Sequence, residues 1–150
     1  MTKIHIVRDY PHPVERVWLA ITDPGLVPLW TATGLGGRPV GFSTVVGTRF
    51  QFVARPRFGW RGVVDCEVLE AREPSLLRYT WVGDEGSAPT YVTYRVEPRA
   101  GDTRFTFEHT GFTGLGGFVM AMVLGAVRRR MLTVGLPAVL HDLDANDRQA

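Results

Sequence analysis

The feature that most constrains this chain is a change of hydrophobic period. Between Gly47 and Gly111 apolar side chains recur at every second position, and from Gly111 to about Leu143 they recur at every third or fourth. Phe50 and Phe52 alternate with Arg49, Gln51 and Val53, and Trp60, Gly62, Val64, Cys66 and Val68 alternate with Arg61, Val63, Asp65, Glu67 and Leu69. Leu77, Tyr79 and Trp81 make the next row, followed by Val92, Tyr94 and Val96, then by Phe105, Phe107 and His109. Pro74, Gly86 and the Arg99-Ala100-Gly101-Asp102 stretch break these runs at hairpin spacing, so the strands form an antiparallel meander. A long helix after such a meander has one place to bury its apolar stripe, the concave face of the sheet.

The N-terminal part fits the same plan. Ile4 and Ile6 alternate with His5 and Val7 as a first strand, which Tyr10-Pro11-His12-Pro13 ends. Val14, Val17, Trp18 and Ile21 have helical spacing. Asp23 is suited to cap a second short helix with Pro24 in its first position and Leu26, Leu29 and Trp30 on its apolar face. Residues Gly34 to Gly47 read as loop with one weakly marked strand. The expected fold is α+β: a curved antiparallel sheet closed over a long C-terminal helix, with two short helices after the first strand, as a single domain over residues 1–150.

Charge and motif content exclude several functions. Lys and Arg number 17 against 15 Asp and Glu, a balance that argues against nucleic acid, which selects a basic face. The one dense cluster, Arg128-Arg129-Arg130, reads as a solvated helix face. The single cysteine, Cys66, reads as a small buried residue, and the lack of any disulfide framework fits a reducing compartment. Leu115 to Val127 is shorter than the roughly 20 residues a membrane span needs. With no signal-peptide pattern at Met1 to Ile6, the expected location is the cytoplasm, without membrane insertion. His5, His12, His109 and His141 are scattered, so no metal is expected, and the Gly-rich stretches at 34–37 and 114–117 lack the spacing of a nucleotide loop, so no cofactor is expected.

The strand alternation supplies candidate walls for an apolar binding site. They are Phe50 and Phe52, then Trp60, Val64 and Cys66, then Tyr79 and Trp81, and finally Tyr94, Phe107 and His109. On the last helix, the stripe of Leu132, Leu136, Val139 and Leu143 continues backwards to Gly125, Ala121 and Phe118. Gly125 and Ala121 offer almost no side-chain volume toward the sheet, which favours a void there over close packing. Gly135 and Pro137 are expected to kink this helix and rotate one half against the other. Phe118 to Leu124 is apolar all round, so its outer face near Val119, Met120 and Val123 is expected to meet a second subunit, giving a homodimer, or a loop. If chemistry occurs, His109 is the natural acid or base, with Tyr79, Tyr94 or Glu67 orienting a substrate.

Three pieces of the sequence resemble a known family. Val17-Trp18-Leu19-Ala20-Ile21-Thr22-Asp23-Pro24 with Trp30 resembles the opening of START-like (SRPBCC) domains. Gly62 with Glu67-Val68, Pro74 and Leu77-Arg78-Tyr79-Thr80-Trp81 is similar to their middle. Gly101-Asp102-Thr103-Arg104 leading to Glu108-His109-Thr110-Gly111-Phe112 resembles the branch named for the activator of the Hsp90 ATPase. The resemblance covers residues 4 to 143 and implies a helix-grip fold with a deep, mainly apolar cavity between sheet and helix. It leaves the activity open among binding of a lipid-like or aromatic molecule, polyketide cyclase or aromatase chemistry, and chaperone binding. The branch usually carries Gly-Trp early in the last helix. Here the place reads Gly125-Ala126-Val127, which implies a roomier cavity.

Overall fold

The computed structural model describes residues 2–31, 37–56, 62–83 and 86–149. The elements in chain order are β1 (Ile4–Tyr10), α1 (Val14–Thr22), α2 (Val27–Thr31), β2 (Arg38–Val40), β3 (Arg49–Val53), β4 (Val63–Arg72), β5 (Leu76–Trp81), β6 (Thr90–Arg99), β7 (Asp102–Thr110), α3 (Gly114–Arg130), a π-helical turn (Met131–Gly135) and α4 (Leu136–Gln149). The seven strands form one antiparallel sheet in the order β1-β7-β6-β5-β4-β3-β2. β1 therefore adds to the end of an otherwise sequential meander, and the long C-terminal helix lies on the curved sheet as a helix-grip fold.

Register turns the sequence alternation into a continuous apolar face. Val68, Tyr79, Val92, His109 and Ile4 stand opposite one another in turn across five strands. Leu77, Tyr94, Phe107 and Ile6 form the neighbouring row, and all nine side chains are buried. Each large apolar side chain so buried contributes about 1.5–3 kcal/mol. Gly62 enters β4 at φ +80°, and a Cβ there would lie 2.5 Å from the Ala54 carbonyl oxygen, so this position requires glycine.

Two local expectations change. The Asp23 carboxylate accepts from Gly25 N–H at 2.7 Å and its carbonyl from Leu26 and Val27 N–H, so Asp23 caps a turn and the helix begins only at Val27. That later start turns Val27 and Trp30 inward and leaves Leu29 60% exposed. Trp30 Nε1 then donates to the Ala20 carbonyl at 2.9 Å and fastens α2 to α1. Arg16 links α1 to the far end of α4 through Asp144 at 2.8 Å and through Asp147.

The break expected near Gly135 and Pro137 takes the form of the π-helical turn. Leu136 N–H donates to Met131 C=O, five residues back. The next donor would be Pro137, which has no N–H. The Leu132 carbonyl thus lacks a helical donor, and the Tyr10 hydroxyl supplies one at 2.6 Å. Burial raises the Tyr10 phenol above its ordinary range, consistent with a neutral hydroxyl held as a donor.

The inner face of the helix carries Ala121, Leu124, Gly125, Arg128, Met131, Leu132, Leu136, Val139 and Leu140. Phe118, expected at the end of this stripe, is instead 49% exposed. The outer residues Val119, Met120 and Val123 are exposed as well, with none of the described loops covering them. Among the described residues no helix is long and apolar enough to cross a membrane.

Candidate functional site

The aromatic side chains chosen from strand alternation converge. Phe50 lies 5.4 Å from both Phe52 and Tyr79, Tyr79 lies 5.8 Å from Tyr94, and Tyr94 lies 5.6 Å from Phe107, centroid to centroid. Val64 and Cys66 are buried opposite Phe52 and Phe50. Phe52 and Trp81 are only partly buried and pack on the edge of this cluster. Trp60 lies outside the described residues. Ala121 and Gly125 are buried on the inner face of the helix, the face that also carries Arg128. Although Gly125 is buried, a Cβ there would meet no heavy atom beyond its own helix backbone within 4 Å.

The Tyr79 and Tyr94 hydroxyls lie 2.9 Å apart. Burial pushes the Tyr79 phenol well above its ordinary range, and it raises Tyr94 in the same direction. Two neutral hydroxyls carry two hydrogens, and only one can lie between the oxygens. The other O–H is a spare donor.

His109 is fully buried between rings, 5.2 Å from Trp81 and 4.6 Å from Phe112. Its Nε2 lies 2.7 Å from Thr90 Oγ1, and the same hydroxyl donates to the Trp81 carbonyl at 2.9 Å. A carbonyl only accepts, so the Thr90 hydrogen is committed there and Nε2–H must be the donor to Thr90. Nδ1 is then a bare lone pair, and it has no partner. Burial, followed by the positive charge of Arg128, pushes the imidazole pKa down to about 2. The histidine is tied to the first residue of β6.

Arg128 departs from the sequence expectation. Arg129 and Arg130 are solvated, but Arg128 is 9% exposed and points inward. Its guanidinium carbon lies 5.3 Å from the Phe107 ring and 5.9 Å from the Trp81 ring, within cation–π range. Its one polar contact among the described residues is Nη1 to Met131 Sδ at 4.0 Å, and its buried Nε has no partner there. No carboxylate of the described residues pairs with it. The charge acts on Cys66, Tyr79, Tyr94 and His109 together, opposing the burial that raises the thiol and both phenols. A partial sequence signal for Arg128 existed: the step from Leu132 back to Gly125 is seven residues, and a stripe of threes and fours passes through position 128 or 129, both arginines.

Elsewhere, a groove of about 450 Å³ lies between α1 and the turns around Phe42 and Glu73, lined by Trp18, Leu19, Thr22 and Ser43 among others. None of the strand-derived candidates lines it. No group of three metal-ligating side chains occurs among the described residues.

Comparison with known proteins places this arrangement. Protein MLL2253 of Mesorhizobium loti superposes with TM-score 0.79 at 26% identity, over 94% of this chain and 98% of that one. CalU16 of Micromonospora echinospora is similar at TM-score 0.61 and 24% identity, over 93% and 88%. DynU16, a protein of the dynemicin biosynthetic locus, is similar at TM-score 0.73 and 21% identity, over 93% of this chain and 47% of that one. No curated protein matches the sequence. Residues 11–129 match the family described as Activator of Hsp90 ATPase homolog 1-like protein, which spans most of the strands and the first half of the long helix, and the chain belongs to that family.

Proposed function

We propose that this protein binds an apolar small molecule, lipid-like or aromatic, between the sheet and the C-terminal helix. The observation that carries the reading is Gly125: a buried helix position on the same inner face as Arg128, whose guanidinium lies over the Phe107 and Trp81 rings, and beside which an added Cβ meets nothing outside its own helix. Interiors are normally packed to crystal-like density, so unfilled space beside a buried helix position suits a ligand's apolar body. The helix-grip fold supports the same assignment, as does Gly125-Ala126-Val127 in place of the Gly-Trp that the family resemblance implies.

A catalytic reading has one observation in its favour, the unpaired Nδ1 of His109. A general base works best with a pKa near the working pH, and His109 sits far below it. Binding is therefore the better account. A chaperone-binding role has only the family's name behind it.

The reading is tested by native mass spectrometry of protein purified from its own host, together with titration of a neutral apolar dye such as N-phenyl-1-naphthylamine. A co-purifying small molecule or a saturable, displaceable dye is expected. Absence of both would count decisively against binding.

A further inference from the structure

We propose that the ligand is an amphiphile whose polar end is a carboxylate or similar oxyanion, and that Arg128 is the residue that recognises it. This rests on the binding reading above and names the chemistry of its polar end.

A buried arginine is costly unless it is paired. Removing a cation from water carries a large penalty, which cation–π contact offsets only in part. In other buried arginines a carboxylate completes the compensation, but here the described residues provide none, and a thioether sulfur is a weak acceptor. Arg128 stands three residues after Gly125 on the same inner helix face, one turn from the space that Gly125 leaves open, and its buried Nε–H is unpaired. The Tyr79–Tyr94 pair adds a spare O–H donor to the same cluster. The cluster is thus rich in donors and poor in acceptors: its free acceptor is His109 Nδ1 alone among the orphaned atoms. Such a set selects a group with several lone pairs and negative charge, and a guanidinium meets a carboxylate through charge-assisted, often bidentate hydrogen bonds. The rings at Phe107 and Trp81 leave apolar contact for the rest of the molecule.

The test uses linear and naphthyl carboxylic acids, each beside its methyl ester, to displace the neutral dye from the full chain near neutral pH. Acids should displace at concentrations at least roughly tenfold below those of their esters, as expected for a charged hydrogen bond. In Arg128→Met the preference should vanish through loss of acid binding while esters bind as before, and Arg128→Lys should keep part of it. Arg128→Met without ligand should melt at or above wild type, because an uncompensated buried charge has been removed. Esters that displace as well as acids from wild type would overturn the proposal and leave the binding reading intact. So would acid preference surviving in Arg128→Met, or dye displaced by neither series. A variant that melts well below wild type and loses ester binding too would assign Arg128 to core structure and overturn it. Failure of the dye to bind at all would remove the binding reading and this one with it.

Discussion

The hydroxyl of Tyr10 donates to the carbonyl of Leu132 at 2.6 Å, across 122 residues of sequence. The bond joins the end of β1 to the π-helical turn, where Pro137 has removed the helix's own donor. Tyr10→Phe leaves a buried carbonyl without a partner and is expected to cost about 1–3 kcal/mol in urea denaturation. Pro137→Ala restores an N–H within reach of the same carbonyl, so the Tyr10→Phe loss should shrink in that background. A double-mutant cycle measures the coupling. Equal losses in both backgrounds would show that Pro137 is not the reason the tyrosine is needed.

His109 makes stability depend on pH. Its folded pKa of about 2 lies below the ordinary histidine value, so between these limits the unfolded chain takes up a proton that the folded chain refuses. Stability is then complete above about pH 6.5 and falls as pH drops, with a slope approaching about 1.4 kcal/mol per unit. Between pH 6.5 and 5 this amounts to about 2 kcal/mol. His109→Phe should flatten that window. It should also be tolerated near neutral pH, since Thr90 keeps its bond to the Trp81 carbonyl and the new ring lies between Trp81 and Phe112. Denaturation midpoints at several pH values check both points, and an unchanged slope in His109→Phe would assign the dependence to other groups.

The sequence carried the fold further than the site. Alternation placed Val64, Cys66, Tyr79, Tyr94, Phe107 and His109 on one face because a strand's period of two is rigid, and register only had to align the rows. The break in the last helix was legible from Gly135 and Pro137, but its form was not. A π-helical turn depends on which carbonyl finds an outside donor, and Tyr10 lies in β1. Arg128 was missed for a different reason. Charge is normally a reliable mark of a solvated helix face, and here the rule fails at one of three adjacent arginines. Breaks of this kind in local consistency concentrate where function is placed.

The outer face of α3 should make the chain self-associate. Leu115, Phe118, Val119, Met122 and Val123 repeat at intervals of three and four and are all exposed, from 49% at Phe118 to 80% at Leu115. Such a stripe is self-complementary when two copies of the helix pack side by side, and monomers rarely leave a contiguous apolar patch bare. Sedimentation velocity across a concentration series should show a dimer that Val119→Glu with Met122→Glu dissociates. A strict monomer at the highest concentration would end this expectation.

Gly125 allows stability and binding to be separated at one position. Gly125→Ala puts a methyl group where nothing outside its own helix lies within 4 Å, and alanine is favoured over glycine in a helix interior by about 1 kcal/mol. The empty protein should therefore become more stable, by roughly 0.5–1 kcal/mol. Gly125→Leu extends a branched side chain into the same space and should also fold, because it occupies room the core does not use. Its binding should be weaker, since the ligand's apolar body is proposed to lie there. Paired melting curves and dye titrations decide the matter. If Gly125→Leu melts far below wild type, the neighbouring side chains already fill the space and the glycine serves close packing. If it folds normally and binds the dye as tightly as wild type, the ligand lies elsewhere in the fold.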